Sequence, residues 1–245
     1  MSWLAVLLIG LALADLAHSV WPVRVLPECV GAIGAILVGL GTGLTQPRDV
    51  AALILIAVGV VAWGQTVTGG FAGRMPAWVP LLVFGGSILV AVIFAGQASA
   101  ARGPLVEWLD SSPLPVLEGL SADRALLLAG TVLLQLSTGN VLVRLVLAAT
   151  GTLNPTQLGL GGDPAMQLKG GRLLGPMERV FILVLGLGGY VTAASIVVAA
   201  KGLLRFPELS SRRDQERIHL LTEYFLVGSF TSWLIALASL VLLRP

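Results

Sequence analysis

The chain has 245 residues, 56% of them hydrophobic and only 11% charged, with a mean hydropathy of +0.92. A water-facing domain carries about a quarter charged residues, so most of this surface must face lipid, and one membrane domain is the natural count for the length. The net charge of +2 is scattered over loops, which excludes the clustered basic footprint of a nucleic-acid binder, and the single cysteine, Cys29, excludes an intrachain disulfide and a multi-cysteine metal site.

A membrane helix needs ~20 mostly apolar residues, because each rises ~1.5 Å through an apolar layer ~30 Å thick. Applied along the chain, that rule predicts about seven spans: 3–20, 26–44, 50–68, 78–98, 125–150, 180–200 and 222–243. Backbone amides in hydrocarbon find no water, and no barrel-like alternation is present, so every span is expected as a helix. The expected fold is all-α, a polytopic transmembrane helix bundle, treated as a single integral-membrane domain over 1–245.

The chain opens Met1-Ser2-Trp3-Leu4, without the basic segment of a cleavable signal, so the first span is expected to be retained. Trp21-Pro22-Val23-Arg24 closes it with an interfacial aromatic, a helix stop and a charge. Gln46-Pro47-Arg48-Asp49 closes the second, with Asp49 placed to cap the third. Gly69-Gly70 to Arg74-Met75-Pro76 ends the third, and the first four spans fill 1–98. Trp3, Trp21, Trp63, Trp78 and Trp233 read as an interfacial belt, with Trp233 the deepest.

Residues 99–124 form a polar connection in which 105–109 and 114–120 fit short interfacial helices. The fifth span follows, and then a Gly/Pro-rich loop, 151–177, either on the surface or re-entrant. Residues 178–245 read as a helical hairpin with charged collars. Its connection holds Lys201, Arg205, Arg212, Arg213 and Arg217. That basic density places loop 201–217 in the cytoplasm. Gly31, Gly34, Gly39 and Gly43, Gly85-Gly86, and Gly186, Gly188 and Gly189 let helix backbones approach. No internal repeat is visible, so an inverted-repeat transporter gains no support.

Ionisable groups inside spans are the candidates for function, because each costs roughly 2.5 to 3.5 kcal/mol at a helix centre. Ser137, Asn140 and Arg144 are spaced three and four apart, which puts them on one face of a continuous helix. Arg144 then either snorkels to the headgroups or is a buried functional cation. Asp15 and His18, one turn apart, form a candidate proton-active pair. Around the last hairpin, Arg172, Glu178, Arg179, Lys201, Arg205 and Glu223 either pin helix ends at the interface or contact a lipid phosphate, another anion or a partner. Glu178 and Arg179 open the sixth span in this reading, and Lys201 or Arg205 meets Glu223 at the mouth of the hairpin. There is no His-Glu-x-x-His, P-loop or Gly-x-Ser-x-Gly motif, no metal set and no indicated cofactor.

The C-terminal third resembles a family of uncharacterised bacterial integral-membrane proteins. The resemblance rests on Gly171-Arg172, Gly175 and Glu178-Arg179, then Ala199-Ala200-Lys201, Arg205-Phe206 and Glu208, then Glu223-Tyr224-Phe225-Leu226-Val227-Gly228. It implies a bacterial inner (cytoplasmic) membrane location and no particular activity. The expectation is a non-catalytic protein, either a subunit of a membrane complex or a module contacting lipid or anions. Its partners would be membrane lipids, other membrane subunits or further copies of itself. The alternatives are a small transporter or channel with a polar cavity near Arg144, and a lipid-modifying enzyme using Glu178 or Glu223 as a base.

Overall fold

A computed structural model describes residues 1–23, 25–152, 171–209 and 215–244; the side chains of 116, 171–173, 197, 201–202, 204–209 and 215–221 lie outside that description. The described residues are helical and contain no strand. In chain order the helices are α1 Ser2–Val20, α2 Leu26–Gly41, α3 Pro47–Phe71, α4 Trp78–Ile93, α5 Pro104–Ser111, α6 Ala122–Leu136, α7 Thr138–Ala149, α8 Gly171–Leu187, α9 Val191–Leu209 and α10 Gln215–Leu243. The short interfacial helices expected in 99–124 appear as α5 and as a 3-10 turn, Pro115–Leu117.

Among the described residues three helices are long and apolar enough to cross a membrane: α1, α3 and the Thr222–Leu243 part of α10. A fourth arises if α6 and α7, bent by 49° at their break, count as one broken span. α2 and α4 are apolar but shorter. The all-helical expectation therefore holds, with three or four spans of full length where about seven were expected from hydropathy.

Helix caps explain much of the difference. α2 stops at Gly41 because the chain turns back at Gly43 (φ +78°). There the Gly43 N–H donates to Leu40 O and the Leu44 N–H to Gly39 O, each at 3.0 Å. The same pair of bonds closes α8 at Gly189 (φ +79°), from Gly189 N–H to Gly186 O at 3.2 Å and from Tyr190 N–H to Leu185 O at 2.8 Å. Such a cap needs a left-handed residue, which glycine supplies without steric cost. The stretch 180–200, expected as one span, is thereby split between α8 and α9. At its other end α8 begins at Gly171, so 171–177 is helix and only 151–152 of the expected loop 151–177 is described as non-helical. Pro176 lies in an early turn, where it removes a single ladder bond and does not stop the helix. The re-entrant alternative falls on 153–170, outside the described residues.

The chain forms two compact units, 1–68 with 79–138 and 69–78 with 139–245. In the first, α1 is the core: Leu4, Ala5, Val6, Leu8 and Leu11 are completely buried or nearly so. It packs against α2 and α6 through small residues. A β-carbon on Gly31 would lie 2.6 Å from both Ala14 Cβ and Gly10 O, and one on Gly130 would lie 3.0 Å from Ala5 O. Lipid tails are as apolar as leucine, so it is this close contact that holds the helices together, not exclusion of water. In the second unit α8 is central and packs on α9 and α10. Gly186 admits Leu240 of α10, whose Cδ1 would stand 2.5 Å from any β-carbon there.

Candidate functional site

Among the described cations Arg179 is the buried one, only 1% exposed. Starting α8 well before Glu178 moves Glu178 and Arg179 from a helix opening into the helix body. There they face α7 and α10. The Arg179 guanidinium donates from Nη2 to Asn140 Oδ1 of α7 at 2.8 Å and from Nη1 to Ser232 Oγ of α10 at 3.2 Å. Gly139 of α7 makes room for it, since a β-carbon there would lie 2.7 Å from Nε. Glu178 is 6% exposed and accepts from Trp233 Nε1 at 2.7 Å. Its carboxylate also interacts electrostatically with Arg179. The planar fork of arginine suits two acceptors in different directions, which an ammonium point charge does not. Three helices are thus tied through one guanidinium and its acidic neighbour.

The first unit carries polar groups at both ends of α1. At the Ser2 end, the Ser2 hydroxyl lies 2.7 Å from both Ser99 O and Asp123 Oδ1 and shares its single hydrogen between them. Trp3 Nε1 donates to Asp49 Oδ1 at 2.9 Å, and the Ser99 N–H to the same oxygen at 3.3 Å. Asp49, expected as a cap for the third helix, sits inside the first turn of α3 and serves Trp3 and Ser99, with Oδ2 buried and unpartnered. At the other end, Trp63 Nε1 of α3 donates to Asp15 Oδ1 and Oδ2 at 3.1 and 3.2 Å. The Thr138 hydroxyl is buried beside the Asp15 carboxylate. Glu28 of α2 accepts from Gln65 Nε2 at 3.0 Å on Oε1, while its Oε2 is buried with no partner. A buried polar atom left unpartnered costs roughly 1 to 3 kcal/mol, more if it is charged.

Several candidates separate on this scaffold. Ser137, Asn140 and Arg144 do not share a face, because the helix breaks at Ser137 and the spacing rule applies only to a continuous helix. Ser137 donates to Ala12 O at 3.0 Å, Asn140 accepts from Arg179, and Arg144 is exposed over the Phe71 ring at 5.0 Å. Asp15 turns to Trp63, whereas the His18 side chain is exposed. Glu223 is exposed, and Thr152 Oγ1 donates to it at 3.5 Å. The side chains of Arg172, Lys201 and Arg205, and so any closure of the hairpin mouth by Lys201 or Arg205, lie outside the described residues.

The aromatic belt needs correction as well. Trp21 and Trp78 are exposed, but Trp3 and Trp63 are buried, and both of these and Trp233 donate indole N–H groups to carboxylates. A buried indole needs an acceptor, and pairing each tryptophan with an acid on another helix was the signal available in the sequence. Among the described residues no group of three His, Cys, Asp or Glu gathers as a metal site. No protein-family model, curated protein or solved structure matches the chain.

Proposed function

We propose that this is a multi-pass membrane protein that acts by binding, as a subunit of a membrane complex. One observation carries the reading: each buried acid and the buried arginine has a partner within its own unit, and long apolar side chains face outward along α9 and α10. Arg179 and Glu178 serve α7 and α10 and present nothing to an anion. Val191, Ile196 and Leu203 along α9, Tyr190 just before it, and Phe230, Leu234 and Val241 along α10 are more than half exposed. In this reading α2, α4 and α9 supply the further crossings of a bundle of about seven spans, in a bacterial inner membrane with 201–217 on the cytoplasmic side. Native mass spectrometry after extraction in mild detergent tests the assembly: a retained protein partner or second copy supports it, and a lone monomer argues against it. Labelling of a cysteine at position 212, in a Cys29→Ser background, tests the topology, because reaction from the outer side would reverse it.

A second reading, a small transporter or channel, is favoured by one observation, the unpartnered Glu28 oxygen in the first unit. Arg144, over Phe71 on an exposed face, adds nothing to it.

A further inference from the structure

We infer that Glu28 is the centre of a binding site for a small exchangeable cation, a proton or an alkali-metal ion, formed between α2 and α3. Glu28 is only 4% exposed. Its side chain lies across α3 at Gly64, where any β-carbon would run into it. The adjoining Gln65 donates from Nε2 to Oε1 at 3.0 Å, which sets the plane of the carboxyl. That leaves Oε2 enclosed and oriented, an acceptor with no donor among the described residues. A single hard oxygen of this kind takes a proton by itself and an alkali ion together with backbone carbonyl or water oxygens. A transition metal would draw on softer nitrogen or sulfur ligands, and the described residues gather no such set.

A second acid borders the same turn of α3. Trp63, next to Gly64, donates to both Asp15 oxygens. Gly31, one turn along α2 from Glu28, is packed against Ala14, the neighbour of Asp15. The Thr138 hydroxyl is buried beside the Asp15 carboxylate. His18 and Cys29, both exposed, are the other described titratable groups here. Within this unit the described arginines belong to the Ser2 end: Arg48 reaches Ser99, the Arg102 N–H binds Thr42 O, and Arg124 follows Asp123, the partner of Ser2. The acids near Trp63 therefore have no described arginine or lysine of their own unit to balance them.

The test uses the full chain in detergent micelles, with ionic strength held constant by choline chloride. Sodium or potassium chloride should raise the thermal midpoint by about 5 to 10 °C at a hundredfold excess over Kd, and Glu28→Gln should abolish the rise. If no alkali ion stabilises the protein but dicyclohexylcarbodiimide adds to Glu28, located by peptide mass spectrometry, the occupant is a proton. Should Glu28→Gln fail to fold, the wild-type labelling still decides, and Gly64→Ala, which displaces the carboxyl, should lower cation response and labelling together. Neither alkali stabilisation nor labelling at Glu28 overturns the site, as does an undiminished cation response in Glu28→Gln. Failure to co-purify a partner leaves this result untouched, so the site and the assembly reading fail separately.

Discussion

In the first unit the carboxylates gather toward the two ends of α1, and the helix between them touches its neighbours mainly through glycine and alanine, with a hydrogen bond from Ser137 to Ala12 O. In the second unit the polar groups lie inside the packing, where Arg179 reaches α7 and α10 at once. Two apolar segments of one chain thus solve the same problem differently. Without a hydrophobic drive between helices, association needs either close backbone contact or hydrogen bonds across the interface. The first unit takes the former route and leaves its carboxylates for the margins. The second takes the latter and accepts a buried charge, which holds only while all its partners are present.

The sharpest way to break this contrast is Arg179→Met. It leaves Asn140 Oδ1 without its donor and Glu178 without its neighbouring charge, and should cost roughly 3 to 5 kcal/mol in a denaturant titration in micelles. Arg179→Lys should recover little of that, since one ammonium cannot serve both directions; wild-type stability in either variant would make the two units alike. Next comes Gly31→Val, where the added atoms meet Ala14 and the Gly10 carbonyl. Overpacking there should cost about 1 to 3 kcal/mol, while Gly85→Val, which opens onto free space, should shift the unfolding midpoint very little. Trp63→Phe and Trp233→Phe each remove one indole donor and keep the ring. Losses of about 0.6 to 1.7 kcal/mol are expected, the larger for Trp233→Phe, because Glu178 is buried and Asp15 only half-buried. The reverse order in thermal unfolding would remove the distinction between margin and interior. Arg144→Leu should be the mildest, within about 1 kcal/mol, since an exposed cation over a ring contributes little.

Hydropathy made the helical nature of the chain legible, along with its apolar spans and the glycines that let α1 and α2 touch. The candidate site was half legible. Glu178, Arg179, Asn140 and Asp15 all stood out as polar groups in or beside apolar runs, yet their partners did not. Asn140 was grouped with Arg144 by helical spacing, which fails once the helix breaks at Ser137. Trp63 and Trp233 looked interfacial because position along a span says nothing about which side of the helix faces protein. Glu28 reads in the sequence only as a lone acid near a helix start.

Composition alone determined that this chain is helical and suited to lipid, because desolvated amides must bond within their own segment. Tertiary structure decided that α1 is core, that Arg179 lies within the packing, and that Glu28 Oε2 has no donor. Those outcomes depend on which faces of distant helices meet, and local periodicity carries no record of that.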